Sequence, residues 1–345
     1  MKKSIAYATK LIAIPALLLL FLFQGLNISA KKPILADDAC TKSKVTFDTS
    51  SLEYIFLHAE EILSNPEAFW ENDSAYKAIK KIMTGLKRPI PYDKWKKNIS
   101  AIAELSKEKR QKNRYYLLAR ELEEKAAYFN STAIPYVCLY FPKASGLDIS
   151  FTVYFSVYTG AYRIMYQNDL IIDVAHSNWG GSSKKILNNF VRVLFDVGYR
   201  KIRNLWTEEP SDNKIYRLLE NIYLRGMATY LGYKALHLFP CADVPEYTML
   251  ENPSDVARLR WNLNNVLSNA EKMSKEDLQK FAREVGIRHK AYTVVGAYAA
   301  KAIEEKLGRK GLIDALGKGP WSFVQTYNSL VKDDEKIYVF DMEKN

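Results

Sequence analysis

Histidine is scarce in this sequence. Only His58, His176, His237 and His289 occur, and no two stand within one helical turn of each other. A helical zinc-hydrolase motif asks for two imidazoles one turn apart, so that both point the same way; that motif is missing. The Gly-x-Ser-x-Gly elbow of Ser-His-Asp hydrolases is missing too. There is no Gly-rich phosphate loop: Gly308, Gly311, Gly317 and Gly319 flank apolar helical stretches and read as caps and turns. No helix-turn-helix, zinc-finger or RNA-binding signature makes a nucleic-acid reader of the chain. Cysteine is limited to Cys40, Cys138 and Cys241. An odd count leaves at least one thiol unpaired or bonded to another chain; one disulfide is possible, between which two the sequence does not say. Cys138, inside Tyr136-Val137-Cys138-Leu139-Tyr140, reads as a small buried hydrophobe.

Apolar residues are plentiful. Of 345 residues, 48% are hydrophobic and 13% aromatic, which excludes a disordered chain and supplies a core. The formal charge is +11, with the basic residues spread along the chain. That pattern implies a solvated basic surface with weak attraction for anionic polymers.

Lys2, Lys3 and Lys10 precede an uncharged run from Leu11 to Phe23. The run is shorter than the about 20 residues a membrane span needs, Pro15 interrupts it, and Ser29-Ala30 offers a small residue to cut after. Residues 1–30 are therefore expected to be a secretory signal. The mature chain would be secreted or extracytoplasmic, in the cell envelope, with no stable membrane span. Residues 31–50 read as a linker.

Residues 51–132 read as an N-terminal helical part, with a long charged helix from Lys94 to Phe129. His58 lies in the first apolar stripe and is expected to be a packed core imidazole. Residues 133–345 follow, and 51–335 can form one continuous domain. Ile134 to Phe141 reads as a strand. Asp148 to Tyr158 alternates β-branched and aromatic residues with polar ones, as a strand does. Arg163 to Tyr166 and Leu170 to Val174 read as further short strands. Helical periodicity returns at Ile186, Phe190, Leu194 and Val197, then from Tyr216 to Tyr230, and continues to Leu330. Asn252 before Pro253 and the box Ser274-Lys-Glu-Asp277 mark helix starts. The expected fold is α+β and mostly helical, with a small mixed sheet between helical parts.

Three stretches carry a resemblance. One is the helix ending in Val197-Gly198-Tyr199. The next is Arg225-Gly226-Met227-Ala228. The last is Tyr292-Thr-Val-Val-Gly296-Ala297, continuing to Ile303-Glu304-Glu305-Lys-Leu-Gly308. In this order they resemble a bacterial family of zinc-dependent, gluzincin-like peptidases. Its pattern is His-Glu-x-x-His-x-Gly, then Glu-Gly-x-Ala, then Tyr-x-x-x-Gly-Ala running into Ile-Glu-x-x-x-Gly. The resemblance spans roughly Ser51 to Leu330 and implies a zincin-like fold, zinc as cofactor and peptide hydrolysis.

This chain departs from the pattern at each metal-handling place. With Gly198 on the family glycine, the two histidines fall on Arg192 and Asp196, and the catalytic glutamate on Val193. The liganding glutamate of the second helix falls on Arg225. A guanidinium has no free lone pair and stays protonated below about pH 12, so the zinc ligands are missing and no catalytic residue is assigned. Arg192 and Asp196 are one turn apart, where opposite charges meet. With Arg225 they are expected to form a charge cluster in place of the metal; the alternative is three unrelated surface charges.

The expected function is a catalytically inactive, peptidase-like protein with a binding or scaffolding role. Arg192, Asp196, Arg225 and Tyr292 would line the former active-site cleft and take a peptide or another anionic ligand. Ile149 to Tyr158 is either an edge strand at the cleft or an ordinary core strand. Two alternatives stand beside this. One is an active zinc-dependent peptidase or other hydrolase with a non-standard site drawing on His176 and His289. The other is a purely structural envelope protein.

Overall fold

A computed structural model describes residues 40, 42–86, 93, 109–141, 146–157, 159, 161–203 and 213–339. The expected signal segment, half of the expected linker and residues 94–108 of the expected long helix lie outside the described residues.

Among the described residues four short strands make one sheet. They are β1 (Val45–Asp48), β2 (Phe151–Ser156), β3 (Arg163–Tyr166) and β4 (Asp169–Asp173). Their order across the sheet is β1-β2-β4-β3. β1 runs parallel to β2 with Val45 opposite Phe151, and β2 parallel to β4 with Thr152 opposite Asp169. β3 returns antiparallel with Arg163 opposite Ile172. β4 is buried on both faces, as its Leu170-Ile171-Ile172 run demands. Of the two readings of β2, an edge strand beside the cleft and an ordinary core strand, the second holds: β2 is an interior strand with both sides paired. The edges are β1 and β3.

Helices surround this sheet. Before β2 come α1 (Ser50–Leu57), α2 (Ala59–Ser64), α3 (Pro66–Asn72), α4 (Ser74–Gly85), α5 (Lys109–Glu124) and α6 (Ala126–Cys138). After β4 come α7 (Ser183–Ile202), α8 (Lys214–Lys234), α9 (Pro245–Glu251), α10 (Pro253–Asn269) and α11 (Lys275–Phe281). A rare π-helical segment, Ala282–Arg288, leads to α12 (Ala291–Gly317) and α13 (Pro320–Leu330). The architecture is mostly helical with a small mixed sheet, hence α+β, and residues 36–345 form one compact unit. No described helix is long and apolar enough to cross a membrane.

Three local expectations are corrected. Ile134 to Phe141 is the end of helix α6 and the turn after it, not a strand. Pro135 sits inside that helix, and Ile134, Tyr136, Val137 and Cys138 are all buried. β1 lies within the stretch expected to be a linker. It is fixed from afar: the Asn130 side chain accepts from Val45 N at 2.7 Å and donates to Val45 O at 2.9 Å. His58 is exposed at the junction of α1 and α2, stacked on Tyr54 with ring centroids 4.5 Å apart and 3.1 Å from Glu61.

Cys138 is bonded to Cys40, across a sequence separation of 98, and Cys241 is free. The disulfide ties the end of α6 to the chain just before β1. Between the sheet and α7 the aromatic rings of Phe47, Phe129, Phe155 and Phe190 pack edge to face, with Phe47 and Phe190 centroids 5.3 Å apart.

Candidate functional site: a cationic cleft on three helices

Helix α7 begins where Ser182 caps it, accepting from Lys185 N at 3.2 Å. Its wide apolar face (Ile186, Phe190, Val193, Leu194, Val197) is buried. Arg192, Asp196 and Arg200 recur at every fourth residue on its half-buried side. Helix α8, capped by Asn213, runs beside it and carries Arg225, Ala228 and Thr229. Two glycines bring these elements close. A Cβ on Gly226 would lie 2.3 Å from Gly296 Cα on α12. A Cβ on Gly232 would lie 2.8 Å from Arg192 Cγ and 2.3 Å from the Tyr247 hydroxyl. Gly232 thus leaves the space that the Arg192 stem occupies.

Arg192, Asp196 and Arg225 line one cavity of about 210 Å³, together with Tyr162, Arg163, Arg200, Glu246, Lys290 and the wall at Gly286. An adjoining cavity of about 280 Å³ shares Tyr162, Arg192, Glu246 and Lys290 and extends to Trp179, Asn188 and Asp243. The three positions singled out by the family resemblance therefore converge. Val193 does not join them: it is 1% exposed, packed in the core. Tyr292 is 2% exposed and lies behind the wall, its ring against Gly286, where a Cβ would meet the ring at 2.1 Å.

The pairing inside the cavity differs from the expected cluster. Asp196 accepts from Arg200 Nε at 2.7 Å, and no nitrogen of Arg192 or Arg225 reaches it within ion-pair distance. Both Arg192 and Arg200 are one turn from Asp196. Arg192 turns the other way, donating from Nη2 to Thr229 Oγ1 at 2.9 Å, with Nη1 3.9 Å from Glu246 Oε1. Its Nε is buried without a partner, as is the Tyr292 hydroxyl. Arg225 Nε donates to Asn221 Oδ1 at 3.3 Å. Arg163 donates to Asn189 Oδ1 at 2.9 Å and stacks over the Tyr162 ring. Lys290 Nζ is 3.1 Å from Glu246 Oε1.

This charge set has consequences. Burial disfavours the charge on Glu246, yet Arg192 and Lys290 outweigh it and hold its carboxyl below the ordinary value. The Arg163 guanidinium pulls the Tyr162 phenol down; burial opposes the shift, and Arg192, Lys290 and Arg225 add to it. Arg225 is itself pushed down, by burial first and then by Arg163 and Arg200, against the pull of Asp196. The cavity is a region of strong positive potential. Its wall is also strained: Lys290 sits at φ 68, left-handed for a residue with a side chain, directly after the π-helical segment.

A metal would find few donors. Among the described residues no group of three or more His, Cys, Asp or Glu comes together to hold one. Neither His176 nor His289 lines these cavities. His176 Nδ1 accepts from Asn178 N at 3.2 Å, and His289 is exposed, 3.5 Å from Glu284. A larger cavity of about 560 Å³, lined by Ser51, Tyr54, Phe69 and Asp73, lies at the N-terminal helices. Its buried carboxylate, Asp73, is already engaged by Ser51 Oγ at 2.6 Å and by Ala75 N and Tyr76 N, capping α4.

The family resemblance picked out Arg192, Asp196 and Arg225 but did not reach Tyr162, Arg163, Arg200, Glu246 and Lys290. Arg200 carried a signal, since it continues the i, i+4 row of α7. The others arrive from β3, α9 and the loop before α12 and carried none.

A family profile described as "Putative zinc dependent peptidase (DUF5700)" matches residues 41–336. No curated protein and no solved structure matches the chain. The match spans all four strands, the three helices of the cleft and most of the chain beyond them: the protein belongs to this family of zinc-dependent peptidase relatives.

Proposed function

We infer that this chain keeps a zincin-like peptidase scaffold without its hydrolytic centre, and that it works by binding. It is read as an exported protein of the cell envelope whose former active-site cleft takes a peptide or another anionic partner. The observation that carries this reading is the convergence of Arg192, Asp196 and Arg225 on one cavity.

The family description implies zinc, and the residues at these positions do not fit it. Guanidinium nitrogens offer no lone pair. Asp196 is one carboxylate, already paired with Arg200. Val193 can relay no proton. No chemical step is therefore derived through a metal. What these residues can do is hold negative charge. Arg192 and Arg225 present planar N–H forks that match a carboxylate or phosphate in pairs of hydrogen bonds, in a half-buried setting where salt screens them less than at the surface.

Calorimetric titration of the purified protein with a short acidic peptide tests this. Saturable binding that weakens with added salt and falls about tenfold or more in Arg192→Gln or Arg225→Gln supports the reading. No saturable binding, or binding indifferent to both substitutions, overturns it.

A further inference from the structure

The cleft's charges do not cancel. Five cations line the smaller cavity (Arg163, Arg192, Arg200, Arg225, Lys290), against two acids, Asp196 and Glu246. Both acids are taken. Asp196 pairs with Arg200 at 2.7 Å, and Glu246 with Lys290 at 3.1 Å while standing 3.9 Å from Arg192. Arg163 and Arg225 are left over. Among the described residues neither has a carboxylate within ion-pair distance: Arg163 donates to Asn189 Oδ1 at 2.9 Å and stacks over the Tyr162 ring, and Arg225 donates to Asn221 Oδ1 at 3.3 Å with Asp196 acting on it from further away.

From these two guanidiniums, facing one cavity without a carboxylate for either, we propose that the site binds a dianionic phosphoryl group, as free phosphate or a phosphate monoester. The proposal rests on the reading of the cleft as an anion site and names its ligand. Glu246 is shared between Lys290 and Arg192, so the two acids leave three positive charges in excess; a carboxylate would compensate one of them and a dianion two, and half-buried charge left uncompensated is costly. A phosphoryl group carries about −1.5 to −2 at pH 7 and three strong acceptor oxygens, the charge and number that an arginine cluster satisfies.

One further observation fits an absent acceptor. Arg192, which lines the cavity, has a buried Nε donor with no hydrogen bond among the described residues. A buried N–H or O–H left unmade is expensive, and such groups are uncommon unless something supplies the acceptor. The wall itself is held in a costly backbone state at Lys290, φ 68. Strain of that kind collects where a ligand is clamped. Gly286 admits no side chain there because the Tyr292 ring fills the space behind it.

The experiment is calorimetric titration of the full chain at fixed ionic strength with inorganic phosphate, with O-phosphoserine, and with N-acetylglycine as a one-charge control. The expected result is binding of phosphate or O-phosphoserine at least about tenfold tighter than N-acetylglycine. That preference should shrink between pH 7.5 and 5.5, as O-phosphoserine loses its second charge near its pKa of about 6 and free phosphate loses its own at higher pH. It should disappear in Arg225→Gln and in Arg163→Gln, whose edge-strand position keeps the test usable where the buried variant fails to fold. Tighter binding of phosphate marks a free ion as the ligand, and tighter binding of O-phosphoserine marks a monoester. N-acetylglycine bound as tightly as both overturns the phosphoryl assignment and leaves the anion cleft standing. No binding of any of the three overturns both.

Discussion

Gly226 of α8 and Gly296 of α12 touch backbone to backbone: a Cβ on Gly226 would sit 2.3 Å from Gly296 Cα, and one on Gly296 would sit 2.1 Å from Ile222 O. That approach brings α8 and α12 together behind the cleft, and it gives a physical reason for glycine in both family motifs. Gly226→Ala is predicted to destabilise the fold by about 1–3 kcal/mol, as overpacking does, despite alanine's better helix propensity. Urea unfolding of the variant checks it; an unchanged or raised midpoint would mean the helices stand further apart.

The disulfide closes a long loop. Cys40 and Cys138 are 98 residues apart, and Cys241 stays free. Denatured but unreduced protein should therefore titrate one thiol, and reduced protein three. Breaking the bond by Cys40→Ser with Cys138→Ser is predicted to cost about 2–5 kcal/mol, read as a fall in thermal midpoint. Cys241→Ser should leave that midpoint nearly unchanged. Three reactive thiols without reductant would contradict the pairing.

Glu304 joins three helix ends. It accepts from Tyr230 Oη at 2.7 Å, Lys234 Nζ at 2.9 Å and Tyr140 Oη at 3.3 Å, just before α12 bends at Gly308, φ 70. Lys234 Nζ also lies over the Tyr140 and Tyr230 rings. Glu304→Gln is predicted to cost about 1–3 kcal/mol. A double-mutant cycle with Lys234→Met should return a coupling of about 0.5–3 kcal/mol. Strict additivity would mean the contact contributes nothing.

Stability should fall in acid partly through Glu246. Arg192 and Lys290 hold its folded-state carboxyl below the ordinary value near 4.5, against the opposing effect of burial. Its stabilising contribution is then complete above that value and is lost as pH drops through the lower folded value. Unfolding curves from pH 6 down to about 3 should be steeper for the native chain than for Glu246→Gln. Parallel curves would remove Glu246 from the account.

Much of this fold was legible locally. Apolar residues at helical spacing located α7, α8 and α12, caps at Asn252 and Ser274 marked two starts, and β3 was read with its bounds. The misreadings share a cause. Helix α6 is buried on several sides, so it shows no polar stripe; its aromatic and β-branched run around Pro135 imitates a strand. β1 is four residues long and owes its existence to β2, whose Phe151 pairs with Val45 from across the chain. His58 sits in an apolar stripe but falls where α1 ends, and a helix end turns its side chain out. Within the site, the family resemblance pointed to Arg192, Asp196 and Arg225, and helical spacing put Arg192 and Asp196 on one face. It could not choose between Arg192 and Arg200 as the partner of Asp196, since both are one turn away. The space at Gly232 and the hydroxyl of Thr229 made the choice, and both belong to a different helix.

The most direct measurement is the metal content of the purified full chain, taken together with peptide cleavage before and after treatment with a chelator. Zinc well below one per chain is expected, with no cleavage that chelation abolishes. One zinc held per chain, with amide hydrolysis lost on its removal and restored on its return, would contradict it.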